Sequence, residues 1–99
     1  MSTVEIREND GLVTISVHDR FDFSAYEGFS ACYKWYPVTS RYMIDMKHVR
    51  YIDSSALTMM LLLRGHVQNR KQNVIIANCN ADIRKLLTTS GFERLFDIQ

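Results

Sequence analysis

The sequence is poor in the residues that build flexible or covalently cross-linked proteins. Its 99 residues include only 4 glycines, 1 proline and 2 cysteines, whereas 46% are hydrophobic. This composition excludes a disordered tail, a collagenous chain or a linker. Two cysteines, Cys32 and Cys79, are too few to staple a small secreted domain, so we interpret both as buried small hydrophobic residues in a reducing compartment. One compact domain spanning residues 1–99 is the expected organisation.

The chain also lacks the charge excess and the long apolar run that would direct it to nucleic acid or to a membrane. Its 12 basic and 11 acidic residues leave a net charge of +1, which gives no compositional case for a polyanionic partner. The longest apolar run, Met59–Leu63, is far shorter than the roughly 20 residues of a membrane span. The amino terminus becomes charged at Glu5, before any signal-peptide core could form. We therefore expect a cytoplasmic protein that does not insert into membranes and does not bind nucleic acid.

The common signatures of catalysis are missing as well. The three histidines, His18, His48 and His66, are scattered along the chain and stand at no metal-ligand spacing. The sequence contains neither a Gly-x-Ser-x-Gly nucleophile turn nor a glycine-rich phosphate loop. We therefore expect no enzymatic activity, no metal and no cofactor.

Hydrophobic periodicity predicts an α/β domain with the order β-β-α-β-α-β-α. Two alternating segments around the turn sequence Asn9-Asp10-Gly11 predict an amino-terminal hairpin. After the hairpin, the sequence predicts a helix capped by Ser24 and stopped by Pro37, followed by a strand from Arg41 to Met46 that extends toward Asp53. The next predicted elements are a helix from Ser54 or Ser55 to about Gln68 and a strand Val74–Ala77. A closing helix, which Gly91 ends, completes the chain. The expected architecture is a four-stranded mixed sheet with about three helices packed mainly on one side.

The segment Tyr51–Leu57 is the most informative part of the chain. An apolar strand runs directly into Asp53-Ser54-Ser55, and an apolar helix follows at the edge of the sheet where α/β proteins place their sites. The structural interpretation is that Asp53 or Ser54 caps this helix. The functional alternative is a phosphorylation switch, because the free N–H groups and the dipole of a helix amino terminus favour a phosphate. Such a modification would change what the surface binds without unfolding the domain.

The helix after the serines carries more apolar residues than one side of a helix can bury. Leu57, Met60 and Leu61 form one face, and further apolar side chains point largely elsewhere: Met59, Leu62 and Leu63. Either neighbouring helices cover the excess, or a partner buries an exposed Met/Leu patch. Such a patch would serve a weak homodimer as readily as a different partner, so the oligomeric state stays open.

These segments resemble a STAS domain, the fold of bacterial anti-sigma factor antagonists. Ile52–Leu57 resembles the family's Asp-Ser-Ser-Gly-Leu phosphorylation motif, with Ala56 in place of the usual Gly and Thr58 in place of the Gly that often follows Leu. The other matching segments occur in the family's order: Arg20–Phe23 resembles the Gly-x-x-Asp region, Val74–Asn78 the next strand, and Asp82–Phe92 the closing helix. The resemblance covers essentially the whole chain and implies a single STAS domain.

The resemblance implies that Ser55, the second serine of the motif, accepts a phosphate, and that Asp22 lies near it and assists kinase recognition. From the residues alone, Asp22 is equally well a turn residue ahead of the first helix. For Thr58, the residues alone favour a solvated helix position. The unphosphorylated protein would bind an anti-sigma factor or serine kinase of the histidine-kinase-like ATPase fold, and phosphorylation would release it. The implied contact residues are Asp22, Asp53, Ser54, Ala56, Leu57, Thr58 and Met59.

The same resemblance implies a metal-dependent serine phosphatase that restores the unphosphorylated state. The motif looks closest to stand-alone family members of Gram-negative bacteria, where a phosphatase fused to a response regulator is the expected controller. Two alternatives remain within the family: a constitutive structural subunit of a lipid-transport complex and a nucleotide-responsive regulatory module. The intact Ser54-Ser55 pair argues against the first, and the missing phosphate loop argues against the second.

Overall fold

The computed structural model describes residues 3–34, 41–67 and 73–99. A mixed β-sheet and three α-helices account for most of these residues. In chain order the elements are β1 (Thr3–Asn9), β2 (Leu12–Phe21), α1 (Tyr26–Lys34), β3 (Arg41–Asp45), β4 (Val49–Ile52), α2 (Ser54–His66), β5 (Val74–Ala77), α3 (Ala81–Thr89) and β6 (Asp97–Ile98). Short 3-10 turns precede α1 at Phe23–Ala25 and follow α3 at Phe92–Arg94. The α/β class and the three helices agree with the sequence prediction.

The predicted amino-terminal hairpin is confirmed. β1 and β2 pair antiparallel, and Asn9 lies opposite Leu12 across a two-residue turn. Both turn residues have positive φ, 51° at Asp10 and 82° at Gly11. Two successive residues of this kind form the type I′ turn that matches the twist of a hairpin.

The sheet has more strands than the four that were predicted. Its order is β1-β2-β3-β5-β6, and β4 pairs in parallel with the end of β2 beyond β3. The predicted continuous strand toward Asp53 is split because the chain turns at Met46–His48. In this turn the Asp45 carboxylate accepts the Lys47 N–H at 3.0 Å, and the Val49 N–H donates to the Met46 carbonyl at 3.0 Å. The other extra strand, β6, is a two-residue pairing with β5.

The helices cover one face of the sheet, as predicted. Side chains on this face are fully buried in one apolar core, among them Val13 and Ile15 of β2 and Ile44 of β3. The alternate residues of the same strands, such as Ser16 and Asp45, are only half-buried on the opposite face. This alternation is the period-two pattern of a sheet that is packed on one side.

Two predicted helix boundaries need comment. Ser24 does not cap α1, because Asp22 caps the preceding 3-10 turn instead and α1 begins only at Tyr26. Gly91 does adopt the predicted left-handed conformation, with φ 79°. The predicted stop at Pro37 and the predicted helix end near Gln68 lie outside the described residues.

Candidate functional site

Two strand-to-helix junctions lie side by side at one edge of the sheet. β2 and β4 run parallel, and their last residues, Phe21 and Ile52, are paired. Asp22 and Asp53 each follow directly, so the two carboxylates extend from adjacent strand ends. The topology therefore brings the Asp22 region and the Asp53-Ser54-Ser55 motif to the same edge.

Of the two caps that the sequence allowed at this junction, Asp53 and Ser54, the structure has Asp53. Its backbone is extended, with φ −134°, and its carboxylate accepts the N–H groups of Ser55 at 2.9 Å and Ala56 at 3.3 Å. This is the standard way in which a side chain satisfies the first turn of a helix. Because Asp53 already occupies these two donors, the expectation that they stand free to receive a phosphate is wrong.

The residues of the motif differ in how far they reach the surface. Ser54 is exposed and Ser55 is half-buried. Thr58 is exposed one turn along, and its hydroxyl donates to the Ser54 carbonyl at 3.2 Å. Of the hydroxyl-bearing residues at the start of α2, Ser54 and Thr58 are therefore exposed, and Ser55 is partly accessible.

The apolar residues of α2 divide into a core set and an exposed pair. Ala56 is fully buried, Met59 is 3% exposed, and Leu57 is partly buried against the core. The exposed apolar side chains are Leu61 and Leu62, at 41% and 48%. Neighbouring elements therefore cover the methionines, and of the predicted contact residues Ala56 and Met59 offer a partner little side-chain surface.

Asp22 is engaged by neighbouring side chains. It accepts the backbone N–H of Ser24 at 3.0 Å, the Ser24 hydroxyl, and the Nε–H of Arg20 at 3.0 Å. The hydrogen bond from the Ser24 hydroxyl is the main reason that the pKa of Asp22 lies below its usual range, and the Arg20 bond adds to it. The Arg20 guanidinium also lies 4.3 Å from the centre of the Tyr51 ring on β4. Arg20 thus links the two junctions.

An aromatic pair at this edge was not found from the sequence. Phe23 is 71% exposed, and its ring stacks on Tyr26 with the ring centres 5.6 Å apart. Phe23 directly follows Asp22, where the alternating pattern of β2 has ended, so periodicity gave no indication of its exposure. The available signal was the aromatic residue itself, next to a carboxylate at a strand end.

The described residues show neither a metal cluster nor a membrane-spanning helix. Among residues 3–34, 41–67 and 73–99, no group of three or more His, Cys, Asp or Glu side chains is placed to hold a metal ion. No helix of this part of the chain is both long and apolar enough to cross a bilayer. Cys32 is buried, and burial raises the pKa of its thiol to about 11, so it packs as a neutral side chain.

Both a family model and a known protein match this chain in sequence. The sequence matches the STAS domain family over residues 3–99. A STAS-domain containing protein of Pseudomonas aeruginosa (strain UCBPP-PA14) is 42% identical over 87 residues, which cover 87% of this chain and 86% of that protein.

Solved structures share the fold at low sequence identity. An anti-sigma factor antagonist from Mycobacterium paratuberculosis superposes with a TM-score of 0.82 at 16% identity, covering 99% of this chain and 85% of that chain. The Bacillus cell fate determinant SpoIIAA in its phosphorylated form gives 0.74 at 16% identity, covering 98% and 91%. A sulfate transporter family protein from Wolinella succinogenes also gives 0.74 at 16% identity, covering 88% and 73%. The fold alone therefore does not select one function, but the sequence match over residues 3–99 shows that this chain belongs to the STAS domain family.

Proposed function

We propose that this protein is a phosphorylation-controlled binding protein of the anti-sigma factor antagonist type, with Ser55 as the phosphate acceptor. The observation that carries the proposal is the junction at Asp53. A capped helix begins at the edge of the sheet, and its first turn presents Ser54 and Ser55 beside the Asp22 junction. This placement gives an enzyme access to the serines while the core under α2 stays intact.

A phosphate at Ser55 would change the charge of this edge more than its structure. Among Arg20, Asp22 and Asp53, the Arg20 cation balances Asp22 at 3.0 Å, and Asp53 contributes one further negative charge. A phosphoserine adds about −1.5 to −2, which brings the sum over these three residues and the phosphate to about −2.5 to −3. Because Asp53 already holds the N–H groups of Ser55 and Ala56, the phosphate would be directed to solvent. A partner docked at this edge would then meet a strong local negative charge.

The partners that fit this proposal are those of the family's switching systems. The unphosphorylated form would bind an anti-sigma factor or a serine kinase of the histidine-kinase-like ATPase fold. The contact residues would be Asp22, Asp53, Ser54, Leu57 and Thr58. Ala56 and Met59 would contribute by packing α2 against the core. A metal-dependent serine phosphatase, including one fused to a response regulator, would reverse the modification. In this scheme the protein acts in the cytoplasm, affects transcription or a related output, and catalyses no reaction. The anti-sigma factor antagonist and the phosphorylated SpoIIAA, which share its fold, support the proposal.

The first test is whether the native host phosphorylates this protein and at which residue. The protein isolated from that host would be analysed by intact-mass and peptide mass spectrometry, beside Ser55→Ala and the matched control Ser54→Ala. We expect a phosphate on the unaltered protein and on the Ser54→Ala variant, and none on Ser55→Ala. A phosphate that persists in Ser55→Ala would exclude Ser55 as the acceptor.

The second test is whether the charge at Ser55 controls binding. Ser55→Ala and Ser55→Asp would serve as paired baits in the native host, followed by binding measurements with each purified partner. We expect an anti-sigma factor or ATPase-fold kinase to bind Ser55→Ala and to be lost from Ser55→Asp. The same partners on both baits would instead favour a constitutive structural subunit of a lipid-transport complex. A thermal shift with GTP or ATP would favour the nucleotide-responsive module.

A further inference from the structure

β1 is the outermost strand of the sheet, on the side away from β6. Among the described residues it is paired on one side only. Its single neighbour is β2. Six of its seven residues are exposed, and only Val4 is half-buried. An edge strand of this kind presents unpaired N–H and C=O groups that another strand can bind.

The hairpin register identifies which backbone groups of β1 point outward. The pair next to the two-residue turn, Asn9 and Leu12, is hydrogen-bonded, and pairs alternate along an antiparallel ladder. The N–H and C=O groups of Asn9, Arg7, Glu5 and Thr3 therefore face β2. The outward groups belong to the intervening residues, Val4, Ile6 and Glu8.

The sequence of β1 is complementary to itself in an antiparallel arrangement. If Ile6 lies opposite Ile6 of a second copy, the outward groups of Val4 face those of Glu8, and the two Ile6 residues exchange hydrogen bonds. In the same register Glu5 lies opposite Arg7 of the second copy, and Arg7 opposite Glu5. Opposed charges at such directly facing positions stabilise strand pairing.

The neighbouring registers are disfavoured by like charges. Only registers that keep Val4, Ile6 and Glu8 facing one another use the outward backbone groups. A shift by two residues in one direction places Glu5 opposite Glu5, and in the other direction Arg7 opposite Arg7. The charges that normally protect an edge strand thus disfavour its pairing in general and permit this one register.

We propose that two copies of this chain associate through β1, antiparallel and centred on Ile6, to form one continuous sheet. Ile6, 43% exposed in the single chain, would contact its counterpart at the centre. The Glu5 side chain is 63% exposed and contacts His18 Nε2 at 2.7 Å through one oxygen, which leaves its other oxygen for Arg7 of the second copy. β1 pairs with β2 only as far as His18. The Ser55 edge, that is, the strand ends that carry Asp22 and Asp53-Ser54-Ser55, lies beyond Phe21. Dimerisation through β1 should therefore be independent of the proposed switch.

Charge reversal tests the register. Sedimentation equilibrium from micromolar to millimolar concentration would compare the unaltered protein with Glu5→Arg, Arg7→Glu and the double variant. Each single reversal places like charges opposite each other twice and should weaken the dimer about tenfold or more. The double variant should dimerise again, and an equimolar mixture of the two single variants should form a heterodimer. A monomer at all concentrations, or a dimer that neither single reversal weakens, would overturn the proposal.

A backbone test separates edge pairing from a general effect of charge. Amide hydrogen exchange at Ile6 and Glu8 should slow as the protein concentration rises, while exchange at Arg7, which already donates to β2, should not change. Ile6→Pro removes an outward donor and leaves the β1–β2 ladder in place, so it should abolish the dimer while the circular dichroism spectrum stays that of the folded protein. Concentration-independent exchange at Ile6, or a dimer that survives Ile6→Pro in folded protein, would contradict edge pairing.

Discussion

The two junctions at the Ser55 edge use the same residue type in the same place to different effect. Asp22 and Asp53 both follow the last residues of paired parallel strands. Asp53 binds two backbone amides of its own helix, and α2 begins at once. Asp22 binds the Ser24 hydroxyl and Arg20 as well as one amide, and a 3-10 turn intervenes before α1. The same residue type therefore starts a helix at one junction and belongs to a surface network at the other.

The same difference bears on how the proposed switch would work, because the core fixes the position of α2 whereas the Asp22 junction lies at the surface. α2 carries four buried side chains, those of Ala56, Met59, Met60 and Leu63, so its position is fixed by the core. The Asp22 junction carries the exposed Phe23 and the Arg20 cation, which lie at the surface. We infer that a phosphate at Ser55 would act on the charge of the surface, while the helix that bears it stays in place.

Removing the cap of α2 should give the largest change in stability. Asp53→Ala leaves the N–H groups of Ser55 and Ala56 without their acceptor, and losses of this kind cost about 1–2 kcal/mol of the free energy of unfolding. Asp22→Ala should cost less, because a three-residue 3-10 turn depends on it rather than a 13-residue helix. Urea unfolding followed by circular dichroism measures both.

Asp53→Asn is the matched control, since asparagine caps a helix about as well as aspartate. It should keep most of the stability that Asp53→Ala loses. If Asp22→Ala proved more destabilising than Asp53→Ala, the assignment of different tasks to the two junctions would be wrong.

Adding charge at Ser55 should have a smaller effect on stability. In Ser55→Asp the new carboxylate lies two residues from the Asp53 carboxylate, which is unfavourable, and near the helix amino terminus, which is favourable. The two effects oppose each other, so the free energy of unfolding should change by less than about 1 kcal/mol. Ser54→Asp, which adds the same charge at an exposed neighbour, is the control. A Ser55→Asp variant that unfolds while Ser54→Asp does not would show that charge at Ser55 disrupts the fold.

The features of the fold and of the Ser55 edge that follow from local chemistry could be predicted from the sequence. The hairpin turn at Asp10-Gly11, the cap at Asp53 and the left-handed Gly91 each depend on residues within a few positions of each other. The two-residue β6 depends on pairing with β5, which no local pattern encodes. The turn at Met46–His48 that separates β3 from β4 is local, but it contains neither the glycine nor the proline that would indicate it. Ser24 fits a capping motif, but Asp22 competes for the same turn and takes the cap.

The smallest expected effect is on the titration of Asp22, and it tests the surface network directly. The Ser24 hydroxyl is the main cause of the lowered pKa of Asp22, ahead of Arg20. Ser24→Ala should therefore raise this pKa toward the ordinary value of about 3.9, as measured by NMR titration of the carboxyl carbon. A carboxylate with a lowered pKa stabilises the fold above its unfolded-state pKa, and this contribution is lost as the pH falls through the folded-state pKa. The variant should thus be less stable than the parent near and above pH 4, and this difference should disappear as the pH falls below the folded-state pKa of Asp22.

Ser30→Ala is the control, because the Ser30 hydroxyl donates within α1, to the carbonyl groups of Tyr26 and Glu27. An unchanged pKa of Asp22 in Ser24→Ala would mean that Arg20 and the Ser24 backbone N–H hold this carboxylate without help from the hydroxyl.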